Sequence, residues 1–133
     1  MSMSVVGLGI DLVEVPRIRA LLEKGGDRFK QRVYTAGEIA YCDSCPDGAM
    51  NYAARFAAKE AVAKALGTGF SNGVSWKDIE VLRSEGGMPS VRLHGGAQTV
   101  AETLQVAKVL VTLTHTATAA AASAVLLGGA KPL

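Results

Sequence analysis

From Val5 to Val13 apolar and small residues alternate, which restricts the segment to an extended strand with two unlike faces. Val6, Leu8, Ile10 and Leu12 fall on one face, and Gly7, Gly9 and Asp11 on the other. Two successive glycines on one face offer no side chains for packing, so something can approach the backbone closely there. Asp11 shares that cleared face, and the expectation is that a ligand reaches it.

The next segments alternate helix signals with stops. Pro16 suits the first turn of a helix through Ile18, Leu21 and Leu22 that ends at Gly25-Gly26. Thr35 and Glu38 have the spacing of a capping box at the start of a second short helix, which Pro46-Asp47-Gly48 breaks. An alanine-rich stretch from Asn51 to Leu66, stopped by Gly67, predicts the longest helix. Ile79 to Leu82 and Val91 to Leu93 predict a hairpin turning at Ser84-Glu85-Gly86-Gly87. A helix over Ala97 to Val106 follows, then strands over Lys108 to Thr114 and Ala119 to Leu127 joined at His115 to Thr118. Helices inserted among hairpins predict an α+β fold with a mainly antiparallel sheet packed by helices.

At 133 residues the chain fits one domain, 1–133, with no repeat or linker to divide it. An apolar fraction of 49%, much of it alanine, suggests that some apolar surface is buried between subunits. No apolar run is long enough to span a membrane, and the first residues lack a signal-peptide pattern, so a cytoplasmic location is expected. A net charge of +2 is too small to argue for nucleic acid. The charge is uneven, however: six cations stand against two acids between Arg17 and Arg32. A solvated helix and a docking patch for an acidic partner both fit that segment. Cys42 and Cys45 form C-x-x-C, but no second cysteine pair completes a zinc site. The polar setting at a helix end is also unlike a redox motif.

On the long helix, Glu60 and Lys64 share one side while Arg55 and Lys59 fall nearly opposite. Glu60 and Lys64 read either as an ordinary surface pair worth a few tenths of a kcal/mol or as part of a ligand site. Asp11 favours the second reading. Magnesium commonly takes one or two protein carboxylates and completes its shell with water and substrate phosphate, and Asp11 with Glu60 suffices for that. Lys64, one turn beyond Glu60, is then placed to neutralise phosphate charge.

These residues resemble the small holo-[acyl-carrier-protein] synthase group of phosphopantetheinyl transferases. The similarity runs through Gly7 to Val15, Arg28 to Glu38 and Arg55 to Gly69, and continues in Trp76 to Val81, Gly87 to Pro89 and Leu113 to His115. The resemblance implies the 4'-phosphopantetheinyl transferase fold and a homotrimer with active sites between neighbouring subunits. It implies that a serine of apo acyl carrier protein attacks the β-phosphate of coenzyme A, releasing adenosine 3',5'-bisphosphate, in fatty-acid or polyketide biosynthesis. By this similarity Asp11 and Glu60 bind magnesium and Lys64 contacts phosphate. Gly67, Gly69, Pro89, His115 and Thr116 shape the coenzyme site, and Arg17 meets the acidic helix of the carrier.

A water on the metal, Glu60 and His115 all remain open as acceptors of the serine proton. His94, beside Gly95-Gly96, reads most simply as a loop residue. Two positions depart from the family pattern: Met88 stands where a lysine or arginine often precedes the proline, and Thr116-Ala117-Thr118 follows His115. Both bear on how the adenine and 3'-phosphate are gripped. A module that binds coenzyme A without transferring anything is the alternative from another class, and a magnesium-dependent phosphohydrolase the alternative enzyme. Binding alone does not require two metal-holding carboxylates, which argues against the first.

Overall fold

The computed structural model describes residues 3–84 and 86–129. Along the chain come β1 (Met3–Glu14), α1 (Val15–Val33), α2 (Ala36–Ser44) and α3 (Gly48–Ala65), then a short 3-10 turn (Trp76–Asp78). The hairpin β2 (Ile79–Arg83) and β3 (Pro89–Leu93), α4 (Gly95–Thr103), β4 (Val106–His115) and β5 (Ala119–Gly129) complete it. The fold is α+β and its strand pairs are antiparallel, but they make two sheets rather than one. One is three-stranded in the order β1-β5-β4, and the other is the β2-β3 hairpin. Glu85, in the turn expected between β2 and β3, lies outside the described residues.

The expected helices are present with shifted ends. The first does not stop at Gly25-Gly26. It bends where Gly26 takes φ 52° and ψ −136°, then resumes to Val33. The Thr35–Glu38 capping box forms in both directions. The long helix starts earlier than Asn51, at Gly48. The helix expected to reach Val106 ends at Thr103, because Gln105 adopts φ 59° and turns the chain into β4.

Helix α3 lies at the centre, packed on β1, β5, β4, α1, α2 and β2. Its close seat on the sheet explains the glycines of β1. A Cβ on Gly9 would stand 1.8 Å from the Ala61 carbonyl oxygen, and one on Gly7 2.3 Å from that of Ala65. The space expected for a ligand is therefore filled by the helix backbone, which only a side-chain-free strand can meet this closely. On β5 the inward residues Ala120, Ala122, Ala124 and Leu126 are buried under the same helix.

The apolar face of β1 consequently points away from the core. Leu8, Ile10 and Leu12 are 69%, 70% and 68% exposed. A bulge between Val5 and Gly7 turns Val6 inward against the core and leaves Val5 outside with Leu8. Across the sheet Ile10 pairs with Ser123 and Leu12 with Ala121, and β4 adds the exposed Leu110. Contiguous exposed apolar faces of this extent are uncommon on monomeric soluble proteins.

Candidate metal and phosphate site

Asp11 lies on the inward face of β1, two residues past Gly9, at the edge of the helix contact. The close seat of α3 brings Lys64 over it: Lys64 Nζ donates to Asp11 Oδ1 at 3.0 Å and to the Ile10 carbonyl at 3.1 Å. Asp11 is 17% exposed at its side chain and Lys64 51%, so the pair opens to solvent on one side. Burial and the neighbouring Asp11 carboxylate push Glu60 above the usual carboxylate range, while Lys64 and Arg17 act in the opposite sense. The two carboxylates repel each other across a site open to solvent, and a divalent ion shared between them would relieve that repulsion.

Among the described residues no cluster of three or more His, Cys, Asp or Glu could hold a metal. Two carboxylates nevertheless fit magnesium, which keeps waters and takes phosphate oxygens in the rest of its shell. A shallow cavity of about 450 Å³ opens beside Lys64, lined by Leu8, Ile10 and Val125 on the uncovered sheet face. Arg17, in the first turn of α1, lies with its guanidinium 5.5 Å from the centre of the Phe56 ring and is exposed.

Gly67 and Gly69 end α3 with φ of 81° and 56°, values that cost a side-chain-bearing residue strain. The Gly69 amide returns to the Ala63 carbonyl at 3.1 Å, which closes the turn just beyond Lys64. The remaining expected residues stand elsewhere. Pro89 and His115 line a separate cavity of about 200 Å³ together with Asn51, Arg55 and Arg83. The Thr116 hydroxyl accepts from the amides of Thr118 and Ala119 at 3.2 and 3.0 Å, bracing the β4–β5 turn. Asp11, Glu60 and Lys64 do not line the cavity at His115. Arg55 and Glu60 are five residues apart on α3, which places them about 140° apart around the helix.

Sequence reasoning left Arg55 and Lys59 unassigned, although the divided charge of α3 was the signal for them. Lys59 is fully buried and meets Glu38 Oε1 at 2.8 Å. It also donates to the carbonyls of Ile79 at 2.6 Å and Trp76 at 3.1 Å. The capping-box glutamate thus doubles as counter-ion, and its second oxygen accepts from the Val81 amide at 2.8 Å. His94, read as a loop residue, bonds Glu80 at 3.0 Å, and Glu80 accepts from the Thr35 hydroxyl. Cys42 is buried and its thiol is pushed up to about 12 by desolvation, so it stays protonated near neutrality.

Residues 7–123 match the 4'-phosphopantetheinyl transferase superfamily. The holo-[acyl-carrier-protein] synthase of Koribacter versatilis is 48% identical over 122 residues, covering 92% of this chain and 98% of its own. The crystal structure of Helicobacter pylori holo-[acyl-carrier-protein] synthase in complex with coenzyme A is similar with a TM-score of 0.80 at 27% identity, over 90% of this chain and 98% of that one. The Bacillus anthracis enzyme in complex with coenzyme A (3',5'-ADP) gives 0.79 at 32% identity, over 96% of this chain and all of that one. With the match covering most of its length, the chain belongs to the 4'-phosphopantetheinyl transferase superfamily, within the holo-[acyl-carrier-protein] synthase family.

Proposed function

We propose that the chain, as one domain over residues 1–133, transfers the 4'-phosphopantetheine group of coenzyme A to a serine of apo acyl carrier protein. The observation that carries the site assignment is the convergence of Asp11, Glu60 and Lys64 at the close contact of β1 with α3. Asp11 and Glu60 are the residues that would hold magnesium, and the ion, when bound, would supply positive charge to the diphosphate oxygens. Lys64 is already hydrogen-bonded to Asp11, and its flexible stem lets the ammonium turn from that carboxylate to a phosphate oxygen. The Gly67–Gly69 turn borders the same end of the helix and gives the coenzyme a wall without side chains. Arg17 and the basic α1 receive the acidic helix of the carrier, which gives that charge a partner.

The second part of the coenzyme site, at Pro89, His115 and Thr116, is completed by a neighbouring copy. In one chain Arg55 and His115 share a cavity from which Asp11 and Glu60 are absent, and the metal site borders the uncovered apolar face. A homotrimer that buries Leu8, Ile10 and Leu12 brings complementary halves together. No helix among the described residues is long and apolar enough to cross a membrane. The reading places the enzyme in the cytoplasm, serving fatty-acid or polyketide carriers.

The test is direct. Incubated with magnesium, coenzyme A and an apo carrier, the protein should add the phosphopantetheine mass to the carrier in a mass spectrum. Coenzyme A binding with no mass gained on any of several fatty-acid and polyketide carriers would contradict transfer.

A further inference from the structure

Lys64 and a divalent ion have claims on the same carboxylate. Lys64 Nζ donates to Asp11 Oδ1 at 3.0 Å and to the Ile10 carbonyl at 3.1 Å. Both acceptors belong to β1, so together they hold the ammonium against the strand. The contact is built into the packing. Cβ atoms on Gly9 and Gly7 would strike the carbonyl oxygens of Ala61 and Ala65, and Lys64 leaves α3 between those two points of closest approach. Its stem consequently starts close above β1.

An ion bound by Asp11 meets this ammonium. Magnesium takes carboxylate oxygens at about 2.0–2.1 Å and tolerates little distortion of its octahedron. With Lys64 kept at 3.0 Å from Oδ1, two cations would stand side by side on one carboxylate. Their repulsion is only partly screened, because the Asp11 side chain is 17% exposed. Leaving costs Lys64 two hydrogen bonds unless another acceptor replaces them. The way out is open on the solvent side, where Lys64 is 51% exposed on a flexible stem. A phosphate oxygen, charged and unattached to the strand, is an acceptor of the right kind.

We propose that Lys64 makes magnesium binding conditional on a coenzyme diphosphate. While Lys64 sits on Asp11, its charge disfavours the ion. When a diphosphate draws the ammonium away, Asp11 is freed to act with Glu60. This rests on the reading above of Asp11 and Glu60 as metal ligands and Lys64 as a phosphate contact, and it adds a direction that neither role implies: removing Lys64 weakens coenzyme binding yet strengthens magnesium binding. The linkage is reciprocal, so magnesium favours the diphosphate by the same factor that the diphosphate, through Lys64, favours magnesium.

The experiment is calorimetric titration of magnesium, alone and with saturating coenzyme A, into the wild type, Lys64→Met, Lys64→Arg, Lys108→Met and Lys64→Met combined with Asp11→Asn. Lys108 is exposed and pairs with Leu127, well along β5 from Ala122, the partner of Asp11, so its variant controls for net charge. Magnesium alone should bind Lys64→Met about tenfold tighter than the wild type, the scale of removing one neighbouring charge in a site open to solvent. Lys64→Arg and Lys108→Met should stay near the wild type, and adding Asp11→Asn should abolish the gain. Coenzyme A should strengthen magnesium binding in wild type and Lys64→Met alike, since the ion also takes phosphate oxygens, but more in the wild type by that same factor. Equal affinity of wild type and Lys64→Met for magnesium alone, with Asp11→Asn still weakening it, would overturn the competition and leave the metal site standing. An equal gain in Lys108→Met would reduce the effect to net charge and overturn it too. Magnesium binding that survives Asp11→Asn unchanged overturns the metal-site reading, and the competition with it.

Discussion

Helix α3 places two lysines against carboxylates from neighbouring elements, and their surroundings differ completely. Lys59 is fully buried, and its ammonium is saturated by Glu38, the Ile79 carbonyl and the Trp76 carbonyl. Lys64 is half exposed, bonded to Asp11 and the Ile10 carbonyl, with Glu60 nearby. The first pair ties α2, α3 and β2 together through every polar atom it owns, and it has no capacity left for a ligand. The second leaves carboxylate oxygens and an ammonium that can change partner. Similar residue types on one helix therefore divide into a saturated, buried pair and an open one, and the difference is how completely each is satisfied.

The largest expected effect comes from breaking the buried pair. Glu38→Ala leaves a buried ammonium unpaired and uncaps α2, and should cost about 3–5 kcal/mol in urea unfolding. If that variant is too unstable to purify, Glu38→Gln keeps the cap geometry and should lose less. Wild-type stability in Glu38→Gln and Glu38→Ala alike would remove the distinction between the two lysines. Next in size is Gly9→Ala, whose methyl would meet the Ala61 carbonyl oxygen. Because backbone must move, about 1–3 kcal/mol is expected. Turnover should also fall, since β1 carries Asp11. A Gly9→Ala protein of full stability would show that β1 and α3 are not held this closely.

A smaller effect concerns the polar groups around the buried pair. Hydrogen bonds from His94 and Thr35 hold Glu80 below the usual carboxylate range, against the opposing effect of burial. A depressed carboxylate adds stability that is present above its unfolded value, near 4.5, and is lost as pH falls through the folded one. Glu80→Gln should therefore reduce stability at neutral pH slightly and flatten its loss on acidification, as thermal unfolding from pH 7 to 3 will show. An unchanged acid limb would mean that Glu80 is as free in the folded chain as in the unfolded one.

Much of this was legible in the sequence for a physical reason: local signals depend on few residues. The Thr35–Glu38 box, the stop at Gly67 and the alternation of β1 were all readable from neighbours alone. The glycines of β1 were read correctly as a cleared face and incorrectly as space for a ligand, because the occupant, α3, comes from some fifty residues away. Glu38, some twenty residues before Lys59, was hidden as its partner too, since a buried pair and a solvated one look alike along a helix. Leu8, Ile10 and Leu12 were readable as an apolar face, but alternation cannot say whether such a face meets the core of its own chain or another chain. The packing of Arg83 on Tyr41 drew no attention because it depends on the register of the hairpin and on a residue some forty positions away.

The central claim is that Asp11 and Glu60 form a cation site and the buried Glu38–Lys59 pair does not. Calorimetric titration of magnesium into the protein with coenzyme A present tests it most directly, comparing the wild type with Asp11→Asn and Glu60→Gln. Each substitution should weaken magnesium binding by at least about tenfold, the scale seen when even outer partners of a metal site are lost, while circular dichroism shows an unchanged fold. Magnesium binding at wild-type strength in either variant would contradict the assignment.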